Sequence, residues 1–143
     1  MLSPFFKRRM TMTVQEAIDK VDALKPNTYT IPEKLGWLAS ADLIVKHRVI
    51  DTHELNSGET EITDADIDYL ANNIGSDTVL LLPKPYDDAY IHYLSSQIDY
   101  WNHEIPKYNN AMAMFNSALT SYSNEYHRSH TPKGIHKFNF FKG

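Results

Sequence analysis

Apolar residues recur at helical spacing behind two capping patterns in the first third of the chain. The patterns are the capping boxes Thr13-x-x-Glu16 and Thr30-x-x-Glu33. In each, the threonine hydroxyl can accept a hydrogen bond from a backbone amide, and the glutamate can return to the threonine backbone. The apolar residues that follow are spaced three and four apart, which predicts amphipathic helices. The predicted helices are Val14–Leu24 and a longer one that ends at about Val49.

The middle of the chain has weaker periodicity. Residues 51–76 are acidic and contain two glycines, which favours a loop with one short helix over residues 64–73, capped by Thr63. The apolar run from Thr78 to Leu82 contains β-prone residues, but two prolines follow it closely. We therefore expect this run to be an extended connector and not a strand of a sheet.

The strongest periodicity lies between Leu94 and Tyr126, where apolar or aromatic residues follow steps of four and three. Pro106 interrupts this stripe, and a proline inside a helix loses an amide donor and clashes with the preceding turn. Because the stripe keeps its phase across Pro106, it favours one kinked helix, or two nearly collinear helices, over a tight hairpin. Some 40 residues at 1.5 Å each would form a rod of roughly 60 Å.

These elements predict an all-α fold, a small helical bundle with a long, kinked C-terminal helix, an acidic middle loop and extended N- and C-terminal arms. The predicted parts are an N-terminal arm over residues 1–12, a helical domain over 13–128 and a C-terminal arm over 129–143. The chain has 143 residues, 42% of them hydrophobic, which suits one domain. No apolar run approaches the ~20 residues of a membrane span. In the first ten residues the basic side chains follow the apolar ones, whereas a secretory signal has them before its apolar region. An intracellular protein is expected.

The formal net charge of -4 conceals a partition along the chain. Residues 1–12 carry +3, residues 13–50 are neutral, residues 51–105 carry -11, and residues 106–143 return to +4. The acidic middle is either a solvated surface that keeps the protein in solution or a surface that repels or guides a partner. It argues against a protein that grips nucleic acid, since that function needs clustered lysine and arginine.

The residues that could carry chemistry form weak patterns. The chain has no cysteine, which excludes disulfides and thiolate zinc sites. Two histidines and two carboxylates near the end of the second helix could bind a divalent cation, but their spacing matches no established signature. These residues are His47, Asp51, His53 and Glu54. Solvated residues at a helix end explain them better, and Asp87 and Asp88 suit the first turn of a helix. We expect no catalytic residue, no metal and no cofactor.

Seven of the nine tyrosines lie between Tyr86 and Tyr126. Tyrosine suits a surface that is partly apolar and partly wet, so this enrichment predicts a contact between subunits. The candidate interface residues are Tyr90, Trp101, Tyr108, Phe115 and Tyr122. The alternative is that the same aromatic stripe fills the core against the first two helices.

The chain changes character after Tyr126, where basic residues alternate with aromatic ones and no acid appears. Pro132 and Gly134 stop the helix, so the tail is expected to be extended. Three phenylalanines among the last six residues are unusual for a free tail, which is normally polar. We expect this arm to bind a partner as an added strand or as an anchor in a groove. Its candidate binding residues are Ile135, Lys137, Phe138, Phe140 and Phe141.

Several segments together resemble head-tail connector proteins, also called adaptor or head-completion proteins, of long-tailed phages and Gram-positive prophages. The segments are MTVQEAIDKVDALKPN from Met12, GWLASADLIVKHRVIDTHE from Gly36, PYDDAYIHYL from Pro85, QIDYWN from Gln97, YNNAMAMFNSA from Tyr108 and YHRSHTPKG from Tyr126. The resemblance implies a mostly helical protomer in a closed ring of about twelve copies beneath the portal protein. It also implies a C-terminal arm that reaches into the portal, a neck or tail-completion protein below, and no catalytic residues.

Such a protein would be assembled in the host cytoplasm and would reside in the neck of the virion. DNA would pass through its lumen without specific binding, and an acidic lumen would let the duplex slide. Two other functions remain open. One is a small nucleic-acid-binding regulator that uses Lys7, Arg8 and Arg9 together with the C-terminal basic residues. The other is a metalloenzyme built on histidine and carboxylate ligands.

Overall fold

Both N-terminal helices form where the capping boxes place them. The structure, a computed structural model, describes residues 11–72 and 78–134. Thr13 Oγ1 accepts a hydrogen bond from Glu16 N at 3.2 Å, and Thr30 Oγ1 accepts one from Glu33 N at 3.3 Å. Helix α1 is Val14–Leu24, helix α2 is Ile31–Val45, and a π-helical turn, Lys46–Ile50, continues α2. The predicted ends of both helices are confirmed.

The short helix of the acidic middle is smaller than predicted. Thr63 caps it as expected, and its Oγ1 accepts a hydrogen bond from Asp66 N at 3.3 Å. The helix is a single 3-10 turn, Asp64–Ile67, after which Asp68 leaves helical backbone with φ -74° and ψ 79°. Ile67 and Tyr69 are both buried. Two buried positions two residues apart do not share one face of a helix, so the turn does not continue.

The prediction of an extended connector after Thr78 is wrong, and so is a purely all-α fold. Strand β2, Val79–Pro83, pairs antiparallel with strand β1, Thr11–Thr13, in a register that sets Thr11 opposite Pro83. Val14 N also donates to Thr78 O at 2.8 Å. Pro83 is tolerated because it is the last residue of its strand, where a missing amide donor breaks no ladder. The protein is mostly helical with a small two-stranded antiparallel sheet, and Met12, assigned to the N-terminal arm by sequence, lies in β1.

The long C-terminal helix is neither kinked nor straight but folds into an antiparallel hairpin. Helix α3 is Asp88–Trp101 and helix α4 is Ile105–Ser129. Three ring pairs hold the hairpin at successive levels, with centroid separations of 5.4, 5.0 and 5.4 Å. These pairs are Tyr86–Tyr122, Tyr93–Phe115 and Tyr100–Tyr108. Each step of seven residues forward from Tyr86 through α3 matches a step of seven back along α4, so the two helices pack antiparallel along their length.

The turn of the hairpin explains why Pro106 does not oppose it. Glu104 N donates to Asp99 O at 2.8 Å and His103 N donates to Tyr100 O at 3.0 Å, the two bonds of a Schellman motif. His103 takes the left-handed backbone conformation of that motif, with φ 63°. Pro106 lies in the first turn of α4, where its missing amide has no helical acceptor to lose.

The core lies where α1 and α2 pack against α3 and the sheet. Its fully buried members come from every one of these elements and from the inner face of α4; they include Ile18, Leu38, Leu82, Leu94 and Phe115. Helix α4 buries only Phe115, Leu119 and Tyr122, so most of its length faces outward. In the described ranges, no helix is long and apolar enough to cross a membrane.

Candidate functional site at the base of the C-terminal arm

The start of the C-terminal arm is paired with the first residues of the acidic middle. Glu54 N donates to Thr131 O at 2.7 Å, and Lys133 N donates to Thr52 O at 2.9 Å. Between these two bonds, His53 and Pro132 form an antiparallel bridge. We call this pairing, together with the side chains of residues 52–59 and 126–133 that surround it, the arm clamp.

Side chains reinforce the arm clamp on its solvent side. Asn56 Nδ2 donates to Ser129 O at 2.9 Å, and His130 Nε2 lies 2.8 Å from a carboxylate oxygen of Glu59. The His130 ring stacks on Tyr126 with centroids 3.8 Å apart. The Asn56 backbone amide, and after it His130, lowers the pKa of Glu59, which therefore accepts these bonds as a carboxylate. Hydrogen bonds thus join the end of α4 to the loop, and the Tyr126 ring packs against the His130 ring that contacts Glu59.

His53 anchors the inner side of the clamp. It is buried, and its Nδ1–H donates to Val49 O at 2.7 Å. A neutral imidazole with a proton on Nδ1 presents Nε2 as an acceptor, and this atom lies 3.4 Å from Nδ1 of His127. Its ring also meets the edge of Tyr126, with centroids 5.1 Å apart. A buried histidine whose nitrogens both have partners is a structural group here.

The four candidate metal ligands do not converge. Asp51 pairs with Lys46 at 2.7 Å, His47 pairs with Asp64 at 2.9 Å, and His53 lies inside the clamp. In residues 11–72 and 78–134, no three histidine or carboxylate side chains are grouped so as to hold a metal ion. Glu54 contributes its backbone amide to the clamp.

Sequence analysis missed a buried carboxylate in the core of the folded body. Asp42 on α2 is fully buried and accepts hydrogen bonds from the Tyr69 hydroxyl, from the Tyr90 hydroxyl at 2.5 Å and from Leu81 N at 3.2 Å. Burial raises its pKa to about 6, and the three donors oppose that rise. The Tyr90 hydroxyl also accepts from Leu82 N at 2.7 Å. One carboxylate therefore ties α2 to β2, to α3 and to the segment after the 3-10 turn.

The candidate interface residues divide into two groups. Tyr90, Phe115 and Tyr122 are buried within the single chain, so their side chains serve its core. Trp101 is 55% exposed and Tyr108 is half-buried, and both lie at the turn of the hairpin. A contact between copies through this end of the molecule stays a prediction. We call the exposed and half-buried aromatic and apolar residues there the tip patch; they are Tyr100, Trp101, Ile105 and Tyr108.

Asp88 opens α3, as predicted, and Asp87 lies at the N-cap position just before it. The Asp87 side chain makes no capping bond. It is 5% exposed, and burial raises its pKa. Among the described residues its Oδ2 is a buried oxygen with no hydrogen-bond partner. It is therefore a destabilising feature of the helix start and not part of a paired carboxylate site.

The acidic middle is partly neutralised by cations from other segments. Asp99 binds Lys25 of the α1–α2 link at 2.5 Å, and Lys46 lies within 2.9 Å of Asp64. Glu59 meets His130 in the arm clamp. These carboxylates hold the protein together, so the charge of -11 over residues 51–105 overstates the free negative surface. The predicted arm residues Ile135, Lys137, Phe138, Phe140 and Phe141, and residues 1–10, lie outside the described part of the chain.

No family model, curated protein or solved structure matches this chain.

Proposed function

We propose that this chain is a structural adaptor that joins the portal of a phage head to the neck and docks through its C-terminal arm. The observation that carries the proposal is the arm clamp. Two backbone hydrogen bonds fix residues 131–133, although these residues add no large apolar side chain to the core. His130, just before them, is held by its contact with Glu59 and by the stacked Tyr126 ring. Fixing the start of a binding segment lowers the entropy lost when that segment docks.

The composition of the arm suits a protein partner. Beyond Gly134 the chain carries four apolar or aromatic residues and three lysine or histidine residues, and no acid. Aromatic anchors with nearby cations are typical of segments that fill pockets or add a strand to a partner. In the proposed role, Phe138, Phe140 and Phe141 anchor in the portal, and Ile135 and Lys137 flank them.

The tip patch is the proposed contact between copies in a ring. Trp101, Tyr100 and Ile105 are each about half exposed, and they lie together at the end of the hairpin. Exposed aromatic clusters of this kind are enriched at the centres of protein interfaces. In this proposal about twelve copies close into a ring, as symmetric assemblies do. The protein is a structural component of the virion neck and not an enzyme.

Passage of DNA through such a ring requires weak binding. Carboxylates that remain on the surface, such as Glu61 and Asp88, would repel phosphates and let the duplex slide. We therefore expect filter binding to detect little association with duplex DNA, even at low salt. Tight binding that weakens steeply with salt would instead support a nucleic-acid-binding regulator.

Electron microscopy of the protein mixed with its portal tests the proposal directly. We expect the full chain to form a ring stacked on the portal ring. Deletion of residues 135–143 should abolish stacking and leave the helical circular dichroism spectrum unchanged. The deletion begins after Gly134 because Pro132 and Lys133 belong to the arm clamp. Deletion of residues 1–10 is the matched control at the other terminus. Stacking that survives the C-terminal deletion would refute an anchor in the arm.

A further inference from the structure

A surface groove with apolar walls runs beside the arm clamp. Two adjoining cavities of about 330 and 450 Å³ form it, and they share Ile50, Leu55 and Ile62 as lining residues. Leu55 is 49% exposed, which leaves a large apolar side chain uncovered in the described structure. We call this feature the arm groove. Its size suits one or two aromatic side chains.

Acidic residues surround the apolar floor of the arm groove. Asp51, Glu54 and Glu61 line one of its two cavities, and Glu59 lines the other. Lys133 is the lysine that lines it. Asp51 also pairs with Lys46 and Glu59 with His130, and four carboxylates remain an excess of negative charge at the rim. A peptide that fits this groove therefore carries apolar or aromatic side chains for the floor and positive charges for the rim.

The C-terminal segment of this chain has that chemistry and begins at the rim. Residues 135–143 read IHKFNFFKG, with apolar or aromatic side chains at four positions and Lys137 and Lys142 among them. The segment starts two residues after Lys133, and Gly134 has φ 91°, a left-handed conformation that permits a sharp change of direction. Nine residues can span about 30 Å.

We propose that the arm groove binds residues 135–141 of the same chain in the free protein. The tether favours the chain's own segment over that of a second copy, because a short linker gives an effective concentration of about millimolar. The arm is then held against the body until a partner that binds it more strongly displaces it. The inference concerns the free chain and does not require the proposed role in a phage neck.

Cysteine cross-linking of the full-length chain tests this proposal, since the chain has no cysteine of its own. Thr60 lines the groove, and Asn139 lies between two anchor phenylalanines, so Thr60→Cys with Asn139→Cys leaves the apolar contacts intact. The control pair is Thr28→Cys with Asn139→Cys. Thr28 is also exposed, and its neighbour Tyr29 bonds Asn102 at the far end of the hairpin. Under mild oxidation we expect an intramolecular disulfide to form about tenfold faster in the groove pair than in the control pair.

Two further variants identify the contacts responsible. Lys137→Glu with Lys142→Glu should slow cross-linking of the groove pair by reversing the charge match. Leu55→Asp should slow it by introducing a charge into the floor. Equal rates in the groove and control pairs would overturn the proposal. So would a groove-pair rate that neither variant lowers, because tethering alone would then explain the cross-link. Disulfide-linked dimers through the groove pair would also overturn it and assign the groove to the arm of a second copy. These outcomes do not depend on portal binding, so they are separate from the microscopy result.

Discussion

Asp42 offers the sharpest test of how the body of this protein is held together. Its carboxylate is fully buried and accepts hydrogen bonds from the Tyr69 and Tyr90 hydroxyls and from Leu81 N. Burial raises the pKa of the group from 3.8 to about 6 in the folded protein. The folded state therefore binds the Asp42 proton more tightly than the unfolded state does. The contribution of this proton to stability is complete below about pH 4 and is lost as the pH rises through about 6.

The size of this effect follows from the two pKa values. A rise from 3.8 to about 6 corresponds to about 3 kcal/mol between the two protonation states. Asp42→Asn keeps an acceptor oxygen for one of the two tyrosine hydroxyls, replaces the other oxygen with an amide group and cannot ionise. We expect the free energy of unfolding of the natural protein, minus that of the variant, to fall by about 3 kcal/mol between pH 3 and pH 7.

Urea unfolding at half-unit steps of pH measures this difference. Subtracting the two free energies of unfolding cancels the pH dependence that comes from carboxylates present in both proteins. Tyr69→Phe is the matched control, because it removes one donor to the carboxylate and should enlarge the pH-dependent loss. A flat difference curve would refute a raised pKa. A curve that rises with pH would mean that the three donors outweigh burial and hold the pKa of Asp42 below its usual value.

Three further substitutions test other features. His103→Gly should raise the free energy of unfolding by about 1 kcal/mol in thermal melts, because glycine adopts the left-handed conformation of residue 103 without strain. His103→Ala is the control, since alanine would stay strained there, and no gain in the glycine variant would contradict this account of the turn. Asp87→Asn should raise the free energy of unfolding at pH 7 by about 1 kcal/mol, since it removes a buried charge with an unbonded oxygen. The gain should shrink at low pH, where Asp87 of the natural protein becomes protonated. A loss of stability would show that the helix dipole dominates at that position. Trp101→Ala should weaken ring formation and leave the monomer's melting temperature nearly unchanged, because the indole is 55% exposed; a destabilised monomer with rings intact would return the tip patch to the core.

Local signals in the sequence were sufficient for the helix starts. Thr13, Thr30 and Thr63 each cap a helical turn in the structure, because a capping box depends only on residues three apart. The apolar spacing also placed the end of α1 and of the π turn after α2. These features need no knowledge of distant residues, which is why a single sequence predicts them.

Features that depend on distant partners were missed. The run after Thr78 becomes a strand because Thr11–Thr13 pairs with it. The residues near position 78 carry no signal that identifies this distant partner. The hairpin was missed because a three-residue turn preserves the heptad phase, and because its left-handed position holds His103 where glycine or asparagine is usual. Asp42 could have been predicted, because it lies four residues after Leu38 and three before Val45, at the spacing of the buried face of α2. A carboxylate at such a core position signals a buried hydrogen-bond network.

The charge partition along the chain takes on a different meaning in the folded protein. Lys25 and Lys46 precede the acidic middle and His130 follows it, yet all three meet its carboxylates. The arm clamp continues this arrangement, because Glu59 contacts His130 at the start of the C-terminal arm. The same acidic segment then lines a groove at the point where a basic, aromatic tail begins. On this reasoning, the carboxylates of the middle segment interact first with the chain's own basic flanking segments. Raised salt should therefore weaken the attachment of the arm before it unfolds the body, because salt screens exposed charge pairs but not the buried core.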